Sequence, residues 1–270
     1  MDAPEPQSPE PLDGAEPQTR PARARWAMAP RRDMPLVQLL PNLMTVAALC
    51  AGLLAIRLAA RGDYANAVAL IIVAAVLDGL DGRLARFLKS ESPIGAELDS
   101  LADFLNFGVA PGLIISFWAF PAAADLGWGA AMIYVVCCVL RLARFNVGNE
   151  VAAGLARLGK FQGVPSPAGA MLVMLPLYVA FLWPDAPRLP ELALSLWLVG
   201  VGFLMISRMA TPSLKSVRVP TERASFVLVA GVALVVILLR YPWAALTTIS
   251  LAYLAVLAVT GFAQLRRSRG

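Results

Sequence analysis

The sequence predicts an all-α integral membrane protein, a polytopic helical bundle of about eight transmembrane helices with both termini in the cytoplasm. Composition is the first reason: 59% of the 270 residues are hydrophobic and 15% are charged, whereas a soluble domain carries about 25% charged residues. Secondly, the apolar residues form long blocks, each near the roughly 20 residues that a helix needs to cross a bilayer. The third reason is the distribution of Lys and Arg along the chain.

Residues 1–34, which precede the first apolar block, are rich in Pro, Ala, Glu and Arg and lack apolar periodicity. This composition favours a disordered tail. Its arginines, between residues 20 and 32, suit a segment lying against anionic lipid, and they equally suit a plain solvated tail. The rest of the chain, residues 35–266, is predicted to be one membrane domain.

Eight apolar segments are predicted to span the membrane. They are residues 36–60, 64–86, 93–120, 127–147, 166–184, 190–207, 224–240 and 243–265. With the N-terminus in the cytoplasm, 19 of the 23 Lys and Arg residues fall in the tail and the cytoplasmic connections. Because Lys and Arg accumulate on the cytoplasmic side, this split predicts an even number of spans and the inner (cytoplasmic) membrane as the location. The topology also explains the net charge of +5, so no nucleic acid partner is expected.

Four aspartates lie in the second and third predicted spans, close to the predicted cytoplasmic edge. Asp78 and Asp81 share a helix face near the end of the second span, and Asp99 and Asp103 are one turn apart in the third. A short loop at about 87–91 makes the two helices antiparallel neighbours. The four carboxylates are therefore predicted to face one another.

Carboxylates clustered in this way repel one another unless they are protonated or bridged by cations. The chain has no histidine, and its three cysteines lie inside apolar blocks, so a metal here must be held by oxygen ligands. This favours Mg²⁺ or Mn²⁺. Two divalent ions would neutralise the four aspartates, an arrangement that serves in-line displacement at phosphorus.

Small and basic residues accompany the aspartates. Gly82, Ala85 and Gly95 leave room for a bulky ligand against the helix faces, and Arg86 can offset phosphate charge. Ser92, followed by proline, is a typical N-cap, so the third helix is predicted to begin there with its N-terminus directed at the same place. Plain helix-end charges would explain Asp78 and Asp81 but not the deeper pair.

This pattern resembles the signature of the CDP-alcohol phosphatidyltransferase family, D-x-x-D-G-x-x-A-R-x8-G-x3-D-x3-D, with every fixed position present between residues 78 and 103. The resemblance implies a CDP-linked donor, usually CDP-diacylglycerol, an alcohol acceptor and CMP as leaving group. It implies two metals on the four aspartates, with Asp103 also the general base, and donor contacts from Gly82, Arg86 and Ser92. A homodimer is implied as well.

Outside the signature, the chain resembles the membrane-embedded phosphatidylserine synthases of this family. The resemblance rests on residues 41–45, 107–111, 141–146, 161–167 and 205–208. It implies L-serine as the acceptor, which would attack the phosphorus attached to diacylglycerol by direct displacement.

Two sets of polar residues in these segments are predicted to contact the substrates. Asn42 and Thr45, at the start of the first span, are candidates for binding the cytidine. Arg141 and Arg144 are candidates for binding the acceptor carboxylate, and Asn146 is a further candidate for contacting the acceptor. Positive-inside anchoring would also account for the two arginines.

Three other functions stay open at this point. The same chemistry would act on another alcohol, such as glycerol 3-phosphate or inositol phosphate, for which a larger basic pocket is expected. A cation or proton transporter would also use intramembrane aspartates, but it gives no reason for the glycines and the arginine at these spacings. The third is a non-catalytic lipid-binding membrane protein.

Overall fold

A computed structural model of the protein describes residues 36–120, 125–154, 163–207 and 224–268. Within these ranges every regular element is a helix. The predicted tail, residues 1–34, lies outside the described residues, and so do residues 161–162 and 208, which belong to the segments that resemble phosphatidylserine synthases.

The described helices occupy all eight predicted segments. They are α1 Leu40–Ala60, α2 Tyr64–Leu88, α3 Pro93–Phe104, α4 Ala110–Ala119, α5 Asp125–Gly154, α6 Ser166–Val173, α7 Leu175–Leu182, α8 Glu191–Ile206, α9 Ala224–Arg240 and α10 Pro242–Ser268. A π-helical segment, Leu105–Val109, joins α3 to α4, so both lie in the third predicted span. The fifth predicted span contains α6 and α7, which Met174 separates.

Four helical stretches in the described ranges are long and apolar enough to cross a membrane. They are Leu40–Ala60, Pro93–Ala119, Asp125–Asn146 and Pro242–Phe262. Helix α2 has 25 residues, but its second half carries aspartates and arginines. The all-α, multi-pass membrane class is thus confirmed, while eight crossings and the orientation of the termini stay predictions.

Small side chains govern the packing of α1 against α2. The buried residues include four alanines of α1, and in α2 two alanines with the larger Val68 and Ile71: Ala48, Ala51, Ala55 and Ala59, then Ala67 and Ala74. Small residues let helix backbones approach closely, which favours association where lipid tails are as apolar as the side chains. This packing sets the start of α1 beside the end of α2, where the aspartates lie.

Two prolines inside apolar helices leave backbone carbonyl groups without their helical donors. A proline at position i offers no N–H to the carbonyl of residue i−4. Pro111 thereby frees the carbonyl of Phe107, which accepts a hydrogen bond from the Tyr134 hydroxyl at 2.7 Å. The carbonyl of Leu172, opposite Pro176, accepts from Trp197 Nε1 at 3.0 Å. Aromatic donors from neighbouring helices thus satisfy both carbonyls.

Candidate active site

The turn between α2 and α3 sets the geometry of the site. Helix α2 ends at Leu88, and Lys89 follows in the left-handed conformation, with φ of 52°. Ser92 is the N-cap of α3, as predicted: its Oγ accepts a hydrogen bond from the N–H of Gly95 at 3.0 Å. A tight reversal of this kind turns the chain back, so the end of α2 and the start of α3 lie together.

The structure brings the four aspartates into one cluster. The carboxyl groups of Asp78 and Asp103 are within hydrogen-bond reach of each other. Asp78 also interacts electrostatically with Asp81 and Asp99, and Asp99 interacts with Asp81 and Asp103. Asp81 is 3% exposed, and the other three side chains are partly buried. So much negative charge at close range requires protons or cations among the carboxylates.

A threonine on α1 fixes one of these carboxylates. Thr45 Oγ1 lies 2.6 Å from Asp81 Oδ2 and 3.1 Å from the carbonyl oxygen of Pro41. Since a hydroxyl has one proton, the shorter contact with the charged acceptor takes it. Thr45 was predicted to contact cytidine, and the structure places its hydroxyl on Asp81.

The donor atoms at the cluster fit divalent cations in chemical type. Asp78 Oδ1 and Asp81 Oδ1 are buried and have no hydrogen-bond partner within the described residues, and carboxylate oxygens are the ligands that Mg²⁺ and Mn²⁺ prefer. In the side-chain positions of the described ranges, no three acidic or cysteine residues converge as a finished metal cage. The aspartates therefore supply donors of the right chemical type.

A cleft of about 390 Å³ opens beside the aspartates. Its lining includes all seven residues predicted to bind the donor and two of the aspartates: Asn42, Thr45, Asp81, Gly82, Ala85, Arg86, Ser92, Gly95 and Asp99. These residues come from α1, α2 and α3 and from the turn between α2 and α3. The cleft is therefore the space where the predicted donor site would have to be.

Two glycines of the cleft differ in what surrounds them. A Cβ added at Gly95 would lie 2.9 Å from Asn42 Oδ1 and 3.1 Å from Ser92 Oγ, so Gly95 lets the Asn42 amide approach α3. A Cβ added at Gly82 would meet nothing within 4 Å. Gly82 thus faces open space, and its lack of a side chain leaves room for a ligand.

Two strongly exposed apolar residues adjoin cleft residues in the sequence. Phe87, next to Arg86, is 83% exposed, and Ile94, next to Gly95, is 71% exposed. Large apolar groups so exposed in a multi-pass membrane protein suit contact with lipid chains.

The three residues predicted to bind the acceptor lie in different surroundings. Arg141 interacts electrostatically with Asp103, and its Nη1 donates a hydrogen bond to Ser166 Oγ. Arg144 is exposed, and its Nη1 donates to the carbonyl of Ile206 at 3.0 Å. Asn146 Nδ2 donates to Ser100 Oγ at 3.0 Å. The structure therefore brings Arg141 to the aspartates, whereas Arg144 contacts the end of α8.

Sequence reasoning missed Tyr253 of α10, which interacts electrostatically with Arg141. The one signal was a polar hydroxyl in an apolar segment, which is too common to single out a residue. Its neighbour Arg141 is far away along the chain, so only the packing of α10 reveals the pair.

Sequence comparison with known proteins points to the same family as the aspartate signature. The sequence model of the CDP-alcohol phosphatidyltransferase family matches residues 38–207. A CDP-diacylglycerol–serine O-phosphatidyltransferase of Mycobacterium leprae is 42% identical over 190 residues, which are 70% of this chain and 63% of the relative. Proteins of the same name from Helicobacter pylori and Bacillus subtilis are 34% and 33% identical.

These matches differ in coverage. The Helicobacter pylori alignment covers 67% of this chain and 74% of the relative, and the Bacillus subtilis alignment covers 65% and 91%.

The family match includes α1 to α8, with all four aspartates and the whole cleft. It confirms the family that the signature predicted. The chain therefore belongs to the CDP-alcohol phosphatidyltransferase family.

Proposed function

We propose that this protein transfers the phosphatidyl group from CDP-diacylglycerol to the hydroxyl group of L-serine, forming phosphatidylserine and releasing CMP. The observation that carries the proposal is the cluster of four aspartates at a cleft lined by every residue predicted to bind the donor. The name shared by the relatives, CDP-diacylglycerol–serine O-phosphatidyltransferase, supports serine as the acceptor.

The donor is proposed to lie in the cleft with its diphosphate beside the aspartates and its acyl chains in the bilayer. Arg86 would offset phosphate charge, and Gly82 would allow the diphosphate to approach the helix backbone. Phe87 and Ile94, which are exposed, would contact the acyl chains. Asn42, packed on Gly95, would present its amide to the cytidine.

Asp103 is proposed to be the general base. It would accept the proton of the serine hydroxyl while the serine oxygen forms a bond to the phosphorus that carries diacylglycerol. The bond between that phosphorus and the CMP oxygen breaks, and CMP leaves with the bonding electrons. Arg141, which interacts with Asp103, would hold the acceptor near it.

Asp78, Asp81, Asp99 and Asp103 are proposed to hold two divalent ions, Mg²⁺ or Mn²⁺. When bound, such ions supply positive charge that offsets the diphosphate and the leaving phosphate. The hydrogen bond from Thr45 to Asp81 Oδ2 would leave Oδ1 of that residue directed toward a cation.

The location proposed is the inner (cytoplasmic) membrane, with eight crossings, both termini in the cytoplasm and the site facing the cytoplasm. The distribution of Lys and Arg supports this orientation. The family resemblance also supports a homodimer. Membrane lipid is proposed to surround the helices.

Acceptor profiling tests the proposal. Purified protein in CDP-diacylglycerol micelles with Mn²⁺ should release CMP when L-serine is added and not when glycerol 3-phosphate or inositol phosphate replaces it. Asp103→Asn should fold normally and release none, since an amide cannot accept the proton.

The alternatives give different results in the same assay. CMP release that depends on another alcohol would refute serine as the acceptor. If the folded protein released no CMP with any alcohol, the enzyme proposal would be wrong, and a transporter or a lipid-binding protein would be favoured.

A further inference from the structure

Asp103 also interacts with a member of a second polar cluster. This cluster consists of Arg141 of α5, Ser166 at the start of α6 and Tyr253 of α10. Arg141 interacts electrostatically with both Asp103 and Tyr253, and Ser166 accepts the hydrogen bond from Arg141 Nη1. Three helices that are distant along the chain thus contribute polar groups to one cluster near the proposed base.

Two hydrogen-bonding groups of this cluster are buried and unused. Arg141 Nε and the Tyr253 hydroxyl oxygen are both shielded from solvent, and neither has a partner within the described residues. Leaving a buried donor unpaired costs free energy, and this cost is largest for charged groups. Two such groups in one cluster indicate a binding partner that lies outside the described residues.

We infer that Arg141 Nε and the Tyr253 hydroxyl together bind the carboxylate of the amino-acid acceptor, an inference that rests on the proposed function. A carboxylate has two acceptor oxygens and no donor, which matches one N–H and one O–H. Ser166 orients the guanidinium by accepting the hydrogen bond from Nη1, so the Nε–H stays available to the carboxylate.

The position of the cluster suits a short amino acid. The serine hydroxyl must reach Asp103 for proton transfer, and only two carbon atoms separate that hydroxyl from the carboxylate carbon. A carboxylate subsite for serine must therefore be close to Asp103. Arg141, which interacts with Asp103, meets this requirement. Arg144, which donates to the carbonyl of Ile206, is not part of this subsite.

The subsite would draw on a part of the chain that the family match does not include. That match ends at residue 207, and Tyr253 lies in α10, which packs on α6 and α7. The aspartates and the cleft would then supply the chemistry that family members share, while α10 would help to select the acceptor.

Tyr253→Phe tests the subsite, because it removes the hydroxyl and keeps the ring. The variant should raise the KM for L-serine about tenfold or more, the effect of losing a hydrogen bond to a charged group. The kcat and the KM for CDP-diacylglycerol should stay at wild-type values. Tyr241→Phe is the matched control: Tyr241 is 59% exposed just before α10, and its loss of a hydroxyl should change none of these constants.

Two further measurements separate carboxylate binding from a structural role. Ethanolamine has the hydroxyl and the amine of serine but no carboxyl group, so its KM should be the same in wild type and in Tyr253→Phe. Arg141→Lys keeps the positive charge and loses Nε. Its effect on the KM for L-serine should be less than additive with that of Tyr253→Phe, because both side chains would bind one carboxylate.

The outcomes are distinct for the two proposals. Wild-type protein that releases no CMP with L-serine would overturn the proposed function and the subsite together. Serine-dependent release with an unchanged KM for L-serine in Tyr253→Phe would overturn the subsite alone. Equal changes for serine and ethanolamine would also overturn it, since they would assign Tyr253 a structural role.

Discussion

The hydroxyl group of Thr45 shows how one side chain can organise the proposed catalytic cluster. Thr45 is 5% exposed, and its donor satisfies one oxygen of Asp81 and leaves the other without a partner. A carboxylate held in this way keeps one orientation, which matters because catalytic groups must hold their geometry closely.

Thr45→Val replaces that hydroxyl with a methyl group of similar size. We expect kcat/KM for CDP-diacylglycerol to fall by about tenfold or more, because a hydrogen bond to a charged group contributes about 1.5–3 kcal/mol. Initial rates of CMP release, measured with L-serine in excess, provide the check. Thr45→Ser keeps the hydroxyl and should stay close to wild type. A wild-type kcat/KM in Thr45→Val would show that this hydrogen bond has no catalytic importance.

Individual residues were predictable from sequence where the determinant is local. Ser92 precedes a proline at the start of an apolar helix, and its role as N-cap is confirmed. Partners were not predictable where they depend on packing between distant helices. The contacts of Thr45 with Asp81 and of Tyr253 with Arg141 depend on how α1 and α10 lie against the rest of the bundle.

Helices of this protein tolerate proline because neighbouring helices supply the missing donors. Tyr134 is fully buried and donates to the Phe107 carbonyl within the π-helical segment. The hydrocarbon core of a bilayer supplies no water to replace such a donor, so neighbouring helices are a main source of the missing donor. The pairing of Pro111 with Tyr134 is therefore a condition for the irregular joint between α3 and α4.

Tyr134→Phe removes only this donor, and we expect it to lower the free energy of unfolding by about 1–3 kcal/mol, the cost of an unsatisfied buried carbonyl. Denaturant titration in detergent micelles measures the change. Tyr64→Phe is the control, because the Tyr64 hydroxyl donates to the Phe117 carbonyl at an exposed position. Equal destabilisation by the two variants would contradict this account.

The sequence predicted where the helices lie, but it did not predict the breaks within them. Apolar blocks and their polar ends predicted the eight segments, and helices occupy all of them. The π-helical segment Leu105–Val109 and the break at Met174 were not predicted. Proline signals a possible irregularity, but its form depends on which neighbouring side chain reaches the freed carbonyl.

The molecule as a whole is expected to place its site on the cytoplasmic side of the membrane. The turns at the two ends of α2 would then lie on opposite sides, with Arg61 outside and Glu91 inside. Both residues are exposed, so both suit chemical labelling. The length and hydropathy of the described helices do not by themselves fix a direction.

Labelling of single cysteines tests this orientation. Cys50, Cys137 and Cys138 are first replaced by Ala, and Arg61→Cys or Glu91→Cys is then introduced. A membrane-impermeant thiol reagent applied to intact cells should label Arg61→Cys and not Glu91→Cys, and inverted vesicles should give the reverse. Labelling of Glu91→Cys in intact cells would contradict the predicted topology.

The exposed apolar side chains of Phe87 and Ile94 have a kinetic consequence. For the proposed reaction the donor reaches the protein by lateral diffusion and never leaves the lipid phase. Encounters then depend on how many donor molecules share a unit of membrane area, not on how much donor the sample contains. Inert phospholipid added at constant total donor would slow turnover by surface dilution, so the Michaelis constant for the donor is properly a mole fraction.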